Sequence, residues 1–222
     1  MPEFAIYPSL KGRSVFVSGG GSGIGASIVE HLAAQGAKVA FVDINEPASK
    51  QVAAKTGALF LKCDIKDTRA YQAALAEVAA KQGAITVLVN NAAHDERHKL
   101  EDVTPEFWDD RIAVNLRHAF FAIQAVVPGM KKAGGGSIVN FSSISYHTMT
   151  ANLAVYQAAK AATIGMTRMS GRVATTRRTR GLARSSVPTA RARLAWATAS
   201  TCATCASGPG PCSWPDSAAP RR

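Results

Sequence analysis

The chain has 222 residues, a formal net charge of +11 and 47% hydrophobic residues. That length suits one domain with a sizeable core. No apolar run approaches the roughly 18–20 residues of a membrane span, which excludes a membrane partner of that kind.

Five strand-like runs recur along the chain: "RSVFVS" (13–18), "KVAFVD" (38–43), "ALFLKCD" (58–64), "ITVLVN" (85–90) and "SIVNFSS" (137–143). They are short, rich in β-branched residues and continuously apolar, as strands buried on both faces should be. Helix-period stretches lie between them. Three of these stop at a glycine before the next strand, Gly36, Gly57 and Gly83, where a left-handed residue costs glycine little. "GGG" at 134–136 ends a long helix that starts with Thr104 as N-cap and Pro105 at the first helical position. Strand–helix alternation at about 20–25 residues per unit predicts an α/β, doubly wound parallel sheet with helices on both faces. Ligands bind such sheets beyond the carboxyl ends of the strands, so the residues just after each strand carry the functional signal.

After the first strand comes "SGGGSGIGAS", Ser18 to Ser27. Gly19, Gly23 and Gly25 allow a tight turn and close backbone approach to a pyrophosphate, at the N-terminus of the following helix. Ser22 and Ile24 complete that expected phosphate-binding set. Asp43 ends the second strand, 18 residues beyond Gly25. A carboxylate there accepts hydrogen bonds from ribose hydroxyls and repels a 2′-phosphate, and Ile44 offers that phosphate no cation; NAD is expected over NADP. Asp64 and Ile65 follow the third strand, placed to meet the adenine. Asn90 and Asn91 follow the fourth, to brace the loop and floor the cofactor. Ser142 and Ser143 follow the fifth. Tyr156 comes 13 residues after Ser143, and Lys160 four further, one helical turn on. A lysine cation beside a tyrosine favours phenolate. Bringing a phenol from about 10 to about 7 takes roughly 4 kcal/mol, and yields a general base near neutrality.

Together these residues resemble the short-chain dehydrogenase/reductase family over about residues 10–168. The motifs that carry the likeness are "SGGGSGIG", "NNAA", "VNL" around Asn115, Ser143 and "YQAAK". Ser18 stands where the family has Thr, and Ala93 where it has Gly. By that resemblance Asn115, Ser143, Tyr156 and Lys160 form a catalytic tetrad, with Asn115 anchoring a relay water. Within the family, "YPSLKG", "DERHKLEDVT" and "VVPGMKKAGGGSIVNFSSIS" look most like bacterial D-xylose 1-dehydrogenases and related aldose dehydrogenases. The implied activity is hydride transfer from a sugar or other secondary alcohol to NAD, with an aldose giving an aldonolactone. The implied assembly is a homo-oligomer, a tetramer if the C-terminal part were intact, packed through the helices at about 105–131 and 155–169. His94, His98, His118 and His147 are not spaced as a metal set and are expected at the surface or pocket rim. Asp95 and Arg97 are placed to touch substrate hydroxyls.

The domain reading is 1–170 for nucleotide binding and catalysis, and 171–222 for a tail of another kind. The tail holds nine Arg, no Lys and one acid, Asp216, and so carries +8 of the +11. The body is close to neutral. Without aromatic interleaving or a binding motif the arginines do not predict a nucleic-acid partner. The tail has no Ile, Phe, Tyr, Asn, Gln or Glu. That mix is what GC-rich codons give out of frame, so a frameshift near residues 168–172 is expected, with the last strands of the sheet missing. A catalytically inactive remnant that binds nucleotide is the competing reading. The N-terminus "MPEFAIYPSLKG" shows no apolar signal-peptide core. Of the four cysteines only Cys63 lies in the body, so a cytoplasmic, disulfide-free protein is expected. Cys202 and Cys205 form a lone C-x-x-C without a second ligand pair, and no metal is expected.

Overall fold

The structure, a computed structural model, describes residues 5–148, 150–174 and 193–198, the last six and 171–174 by their backbone. Six strands form one parallel sheet: β1 (Ser14–Ser18), β2 (Lys38–Asp43), β3 (Leu59–Lys62), β4 (Val87–Asn90), β5 (Ser137–Ser142) and β6 (Arg193–Thr198), in the order β3-β2-β1-β4-β5-β6. This is the doubly wound arrangement, with its switch point between β1 and β4. Among the described residues six α-helices accompany it: α1 (Gly23–Ala34), α2 (Glu46–Thr56), α3 (Thr68–Gln82), α4 (Pro105–Ile112), α5 (His118–Lys132) and α6 (Ala154–Ala174).

β1 and β4 are buried along their whole length, as the continuous apolar runs require. Their residues alternate between two cores. Phe16, Leu88 and Ile138 meet Tyr71, Leu75 and Val78 of α3 and Ile123 and Val126 of α5 on one face. Val15, Val17 and Phe41 meet Val29 of α1 and Val52 of α2 on the other. Each fully buried side chain of this size is worth roughly 1.5–3 kcal/mol. β5 alternates instead, because Val139 and Phe141, on the α1–α2 face, are only partly covered.

Local chemistry ends the helices largely as the sequence implies. Gly36 and Gly57 take φ of +77° and +70° after α1 and α2. Gly83 also has positive φ, but its ψ of 177° is extended, so α3 ends without the left-handed cap expected there. Thr104 accepts the Phe107 amide at 3.2 Å and caps α4. The expected single long helix is interrupted: Ala113–Arg117 form a π turn between α4 and α5.

At the edge beyond β5 the backbone of Arg193–Thr198 pairs as β6. An uncovered strand presents a row of free N–H and C=O groups that any extended segment can pair, and "RLAWAT" supplies a short run that can extend. Residues 175–192 and 199–222, including Cys202 and Cys205 and most of the stretch whose composition carries the frameshift expectation, lie outside the described residues. Among the described residues no helix is long and apolar enough to cross a membrane, and no cluster of His, Cys, Asp or Glu is arranged to hold a metal.

Candidate active site

A cavity of about 610 Å³ opens beyond the carboxyl ends of β1 to β5. The glycine loop after β1 forms one wall. The amides of Gly19 and Gly20 donate to the Val42 carbonyl at 2.8 and 3.2 Å, folding the loop over β2. A methyl group on Gly25 would lie 1.7 Å from the Gly19 oxygen, so only glycine permits this approach. Ser22 precedes α1 without a side-chain cap, leaving the first amides of the helix uncapped by it. Ser22, Gly23 and Ile24 line the cavity with Gly19 and Gly25. A close-packed backbone turn, backed by a helix terminus, fits a pyrophosphate.

Asp43 faces the same cavity and organises this loop. One carboxylate oxygen accepts the Gly21 amide at 2.8 Å and the other the Asn45 amide at 2.9 Å. Ionised carboxylate has about four acceptor sites, so two remain for ribose hydroxyls. Ile44 beside it is 70% exposed and offers no charge, while Lys62 at the end of β3 is paired with Glu46 at 3.0 Å. Asp64 and Ile65 line the cavity farther along, next to Cys63, whose thiol is buried, free and raised in pKa, first by burial and then by Asp64 and Asp67.

The two asparagines after β4 separate. Asn91 lines the cavity and braces its floor, its side-chain amide donating to the carbonyls of Ser18 at 3.1 Å and Gly19 at 3.0 Å. The Ser18 hydroxyl accepts the amides of Asn91 and Ala92 at 3.1 and 3.2 Å, a role that needs only an oxygen, so serine serves where the family has threonine. Asn90, expected at the cofactor, turns away from it. Still within β4, its side chain is carried into the sheet, where it donates to Asn140 at 2.7 Å; Asn140 donates to Thr167 at 3.0 Å.

The far wall is α6. It packs on the sheet through Ala159, Thr163, Thr167 and Ser170, whose three hydroxyls each return to the carbonyl four residues back at 2.7–3.0 Å. Buried hydroxyls are thereby satisfied without a partner strand. Ser142 donates to the Lys160 carbonyl at 2.8 Å, and Lys160 Nζ donates to the Phe141 carbonyl at 2.9 Å. These bonds lock the helix to the end of β5. Ser143, next along, accepts the Ser145 amide at 3.2 Å and donates to its hydroxyl at 3.0 Å. It lies close enough to Tyr156 to ease its ionisation.

The electrostatics depart from the expectation that Lys160 pulls the Tyr156 pKa down. Burial raises it, the Ser143 hydroxyl lowers it and Asp95 raises it further; the net direction is upward. Lys160 Nζ lies 5.5 Å from the Tyr156 ring centre but spends its bond on Phe141. Burial brings Lys160 itself down to about 8 against a pull upward from Asp95. Desolvation outweighs the pairing that helical spacing suggests.

Asn115 sits in the π turn, where such turns often mark function. Its amide clasps the backbone of His94, accepting the His94 N–H and donating to its carbonyl, both at 2.9 Å. The side chain thereby ties the π turn to the loop after β4. His118, expected at the surface or rim, is 3% exposed, and neither ring nitrogen makes a well-formed hydrogen bond, although the Val114 and Ala113 carbonyls are near. Burial, aided by Lys160, drives it down to about 3, so it is neutral.

His94, Asp95 and Arg111 also line the cavity. Arg111 bonds Glu96 at 2.9 Å and contacts both His94 and Asp110; Lys66 meets Asp110 at 2.9 Å. Of these, Arg111 was not singled out by the sequence, where it reads as one charge on a helix surface.

The sequence profile of the short chain dehydrogenases matches residues 13–180. The chain belongs to the short-chain dehydrogenase family. It is an oxidoreductase of the dehydrogenase type, a class that uses nicotinamide cofactors. Among curated members, D-xylose 1-dehydrogenase of Caulobacter vibrioides is 49% identical over 173 residues, covering 76% of this chain and 68% of that protein. A protein of Rhizobium meliloti named a probable galactose dehydrogenase is 51% identical over 168 residues, 73% of this chain and 66% of that one. D-threitol dehydrogenase of Mycolicibacterium smegmatis is 35% identical over 165 residues, with 72% and 64% covered. The chain spans about two thirds of the length of these family members.

Proposed function

We propose that the chain is a cytoplasmic, NAD-dependent aldose dehydrogenase that oxidises the anomeric hydroxyl of a cyclic sugar to a lactone. The observation that carries this reading is one continuous cavity with Asp43 at one end and Tyr156, beside Ser143 and Lys160, at the other. The similarity to proteins named for xylose and galactose supports the substrate class.

The glycine loop would hold the pyrophosphate, Asp43 the ribose, and Asp64 and Ile65 the adenine side. Bound nicotinamide dinucleotide supplies the hydride acceptor and, when oxidised, a positively charged ring. Tyr156, as phenolate, removes the proton of the C1 hydroxyl, while the C1–H bond is lost as hydride and the carbonyl forms. Ser143 donates to the substrate oxygen and fixes its position. Lys160 would hold the nicotinamide-side ribose. Asn115 holds the loop that carries Asp95 at the cavity wall. Asp95 can accept from sugar hydroxyls, at the cost of a harder tyrosine ionisation.

A groove of about 320 Å³ between the π turn, α5 and α6, lined by Ile112, Leu116, Phe120, Phe121 and Met166, supports a homo-oligomeric assembly covering that face. Incubating the chain with NAD⁺ or NADP⁺ and a panel of pentoses and hexoses, read at the absorbance of the reduced nicotinamide, tests the reading. Reduction of NAD⁺ with a cyclic aldose is expected. Turnover only with acyclic or steroidal alcohols, or only with NADP⁺, refutes it.

A further inference from the structure

The loop that leaves β4 crosses the start of α6, and His98 is where the two are joined. Its backbone N–H donates to the Asn152 carbonyl at 3.0 Å. Its ring makes two further contacts: Nδ1 lies 2.9 Å from the Glu96 carbonyl, and Nε2 lies 3.3 Å from the Val155 amide nitrogen. Phe107 of α4 meets the ring edge-on, with centres 4.8 Å apart. Arg97 beside it reaches the Ala151 carbonyl at 3.4 Å.

The partners dictate the chemistry of the ring. A carbonyl oxygen only accepts, so Nδ1 must carry the proton. A backbone amide only donates, so Nε2 must offer its lone pair. Both bonds hold together in one tautomer of the neutral ring. Val155 lies in the first turn of α6, whose amides have no carbonyl within the helix to accept them. Nε2 therefore caps that turn from outside, one residue before Tyr156. The approach to α6 is otherwise weakly determined: Asn152 has φ +63°, a left-handed conformation uncommon for a non-glycine residue. It is the Asn152 carbonyl that the His98 N–H holds.

We propose that His98 is a positioning residue: by capping Val155 and bracing Asn152 it fixes the first turn of α6, and so sets Tyr156 against Ser143 and the cavity. This rests on the reading of Tyr156 as the proton acceptor. His98 touches neither substrate nor cofactor. It acts through the helix, and small displacements of a proton acceptor are costly because the reacting atoms must meet within hydrogen-bond reach.

The test compares His98→Leu with His98→Gln in the full chain, since a glutamine oxygen can take the place of Nε2 and a leucine cannot. Expected for His98→Leu is a fall in kcat of about tenfold or more, with the dissociation constant for reduced nicotinamide dinucleotide within about twofold of wild type, because the glycine loop and Asp43 are untouched. His98→Gln should recover kcat to within about threefold of wild type. Hydrogen exchange over residues 154–157, by mass spectrometry, gives a readout independent of turnover: protection is lost in the leucine variant and kept in the glutamine variant. Unchanged kcat in His98→Leu, or a glutamine variant no better than leucine, overturns the positioning of Tyr156 by His98. If no aldose is turned over even by the wild type, the aldose reading fails by itself, and the exchange data alone decide whether His98 holds the helix. Equal protection in all three proteins overturns the proposal.

Discussion

The cavity has two ends that are built on opposite principles. At the glycine loop the site is made of backbone and small side chains, and its polar groups are tied to one another: Gly21 to Asp43, Asn91 to Ser18 and Gly19, Gly19 and Gly20 to Val42. At the α6 end it is made of large side chains carried into the protein, and burial moves both ionisable groups away from the charged forms that the proposed reaction uses. The first end is arranged by sterics and needs little adjustment. The second holds its chemistry at a cost in desolvation. Binding and turnover should therefore respond separately to substitution.

The sharpest separation is expected from Tyr156→Phe, which removes the proposed proton acceptor and leaves the glycine loop intact. Turnover should fall by about 10²–10⁴-fold, the usual contribution of a general base, with cofactor affinity nearly unchanged. Steady-state rates and fluorescence titration with reduced cofactor would break the comparison if both fell together. Gly25→Ala tests the other end. With 1.7 Å to the Gly19 oxygen the loop must shift, so cofactor affinity should fall at least about tenfold and stability by roughly 1–3 kcal/mol. A melting curve and a titration check both. Asp43→Ala should narrow the preference between NAD⁺ and NADP⁺, by roughly tenfold in the ratio of kcat/KM, since the repulsion of a 2′-phosphate is lost; an unchanged ratio removes Asp43 from the discrimination.

Two smaller effects sharpen the electrostatic half. Asp95 raises the Tyr156 pKa. Its neutral substitute in Asp95→Asn should let the phenol ionise more easily, moving the acid limb of kcat/KM against pH to lower pH. A shift upward, or none, would show that Asp95 does not face the phenol. His118 is buried neutral, down at about 3 against an ordinary 6.5, so the unfolded chain binds a proton between those values that the folded chain does not. Stability then rises with pH through that window, and acid removes it below about 6.5. In His118→Met the loss on going from pH 7 to pH 5 should shrink, by at most roughly 2 kcal/mol, as followed by urea denaturation at the two pH values.

Strand runs and glycine loop could both be read in the sequence because each depends on local pattern: "SVFVS" must be buried, and "GGGSGIG" can only turn tightly. Tyr156 and Lys160 were recognisable by spacing, but their mutual tuning was not. Spacing says which side chains share a face and nothing of how much water each loses. Asn90 and Asn91 show the same boundary. Identical neighbours, they divide because Asn90 is still in the pleated strand while Asn91 has left it. His118 carried no signal of burial, since a histidine among "LRHAFF" reads equally as a helix exterior.

The π turn at Ala113–Arg117 sets the phase of everything after it. A π turn adds one residue to a helix, a rotation of about 100° between the segments on either side. With that extra residue, Asn115 reaches His94 while Ala119, Ile123 and Val126 still face the sheet and Phe120 faces out. A chain shortened by one residue within 113–117 could keep one alignment or the other, but not both. The insertion thus couples two otherwise independent requirements, the packing of α5 and the grip on the loop after β4. Length in this segment is accordingly more constrained than residue identity.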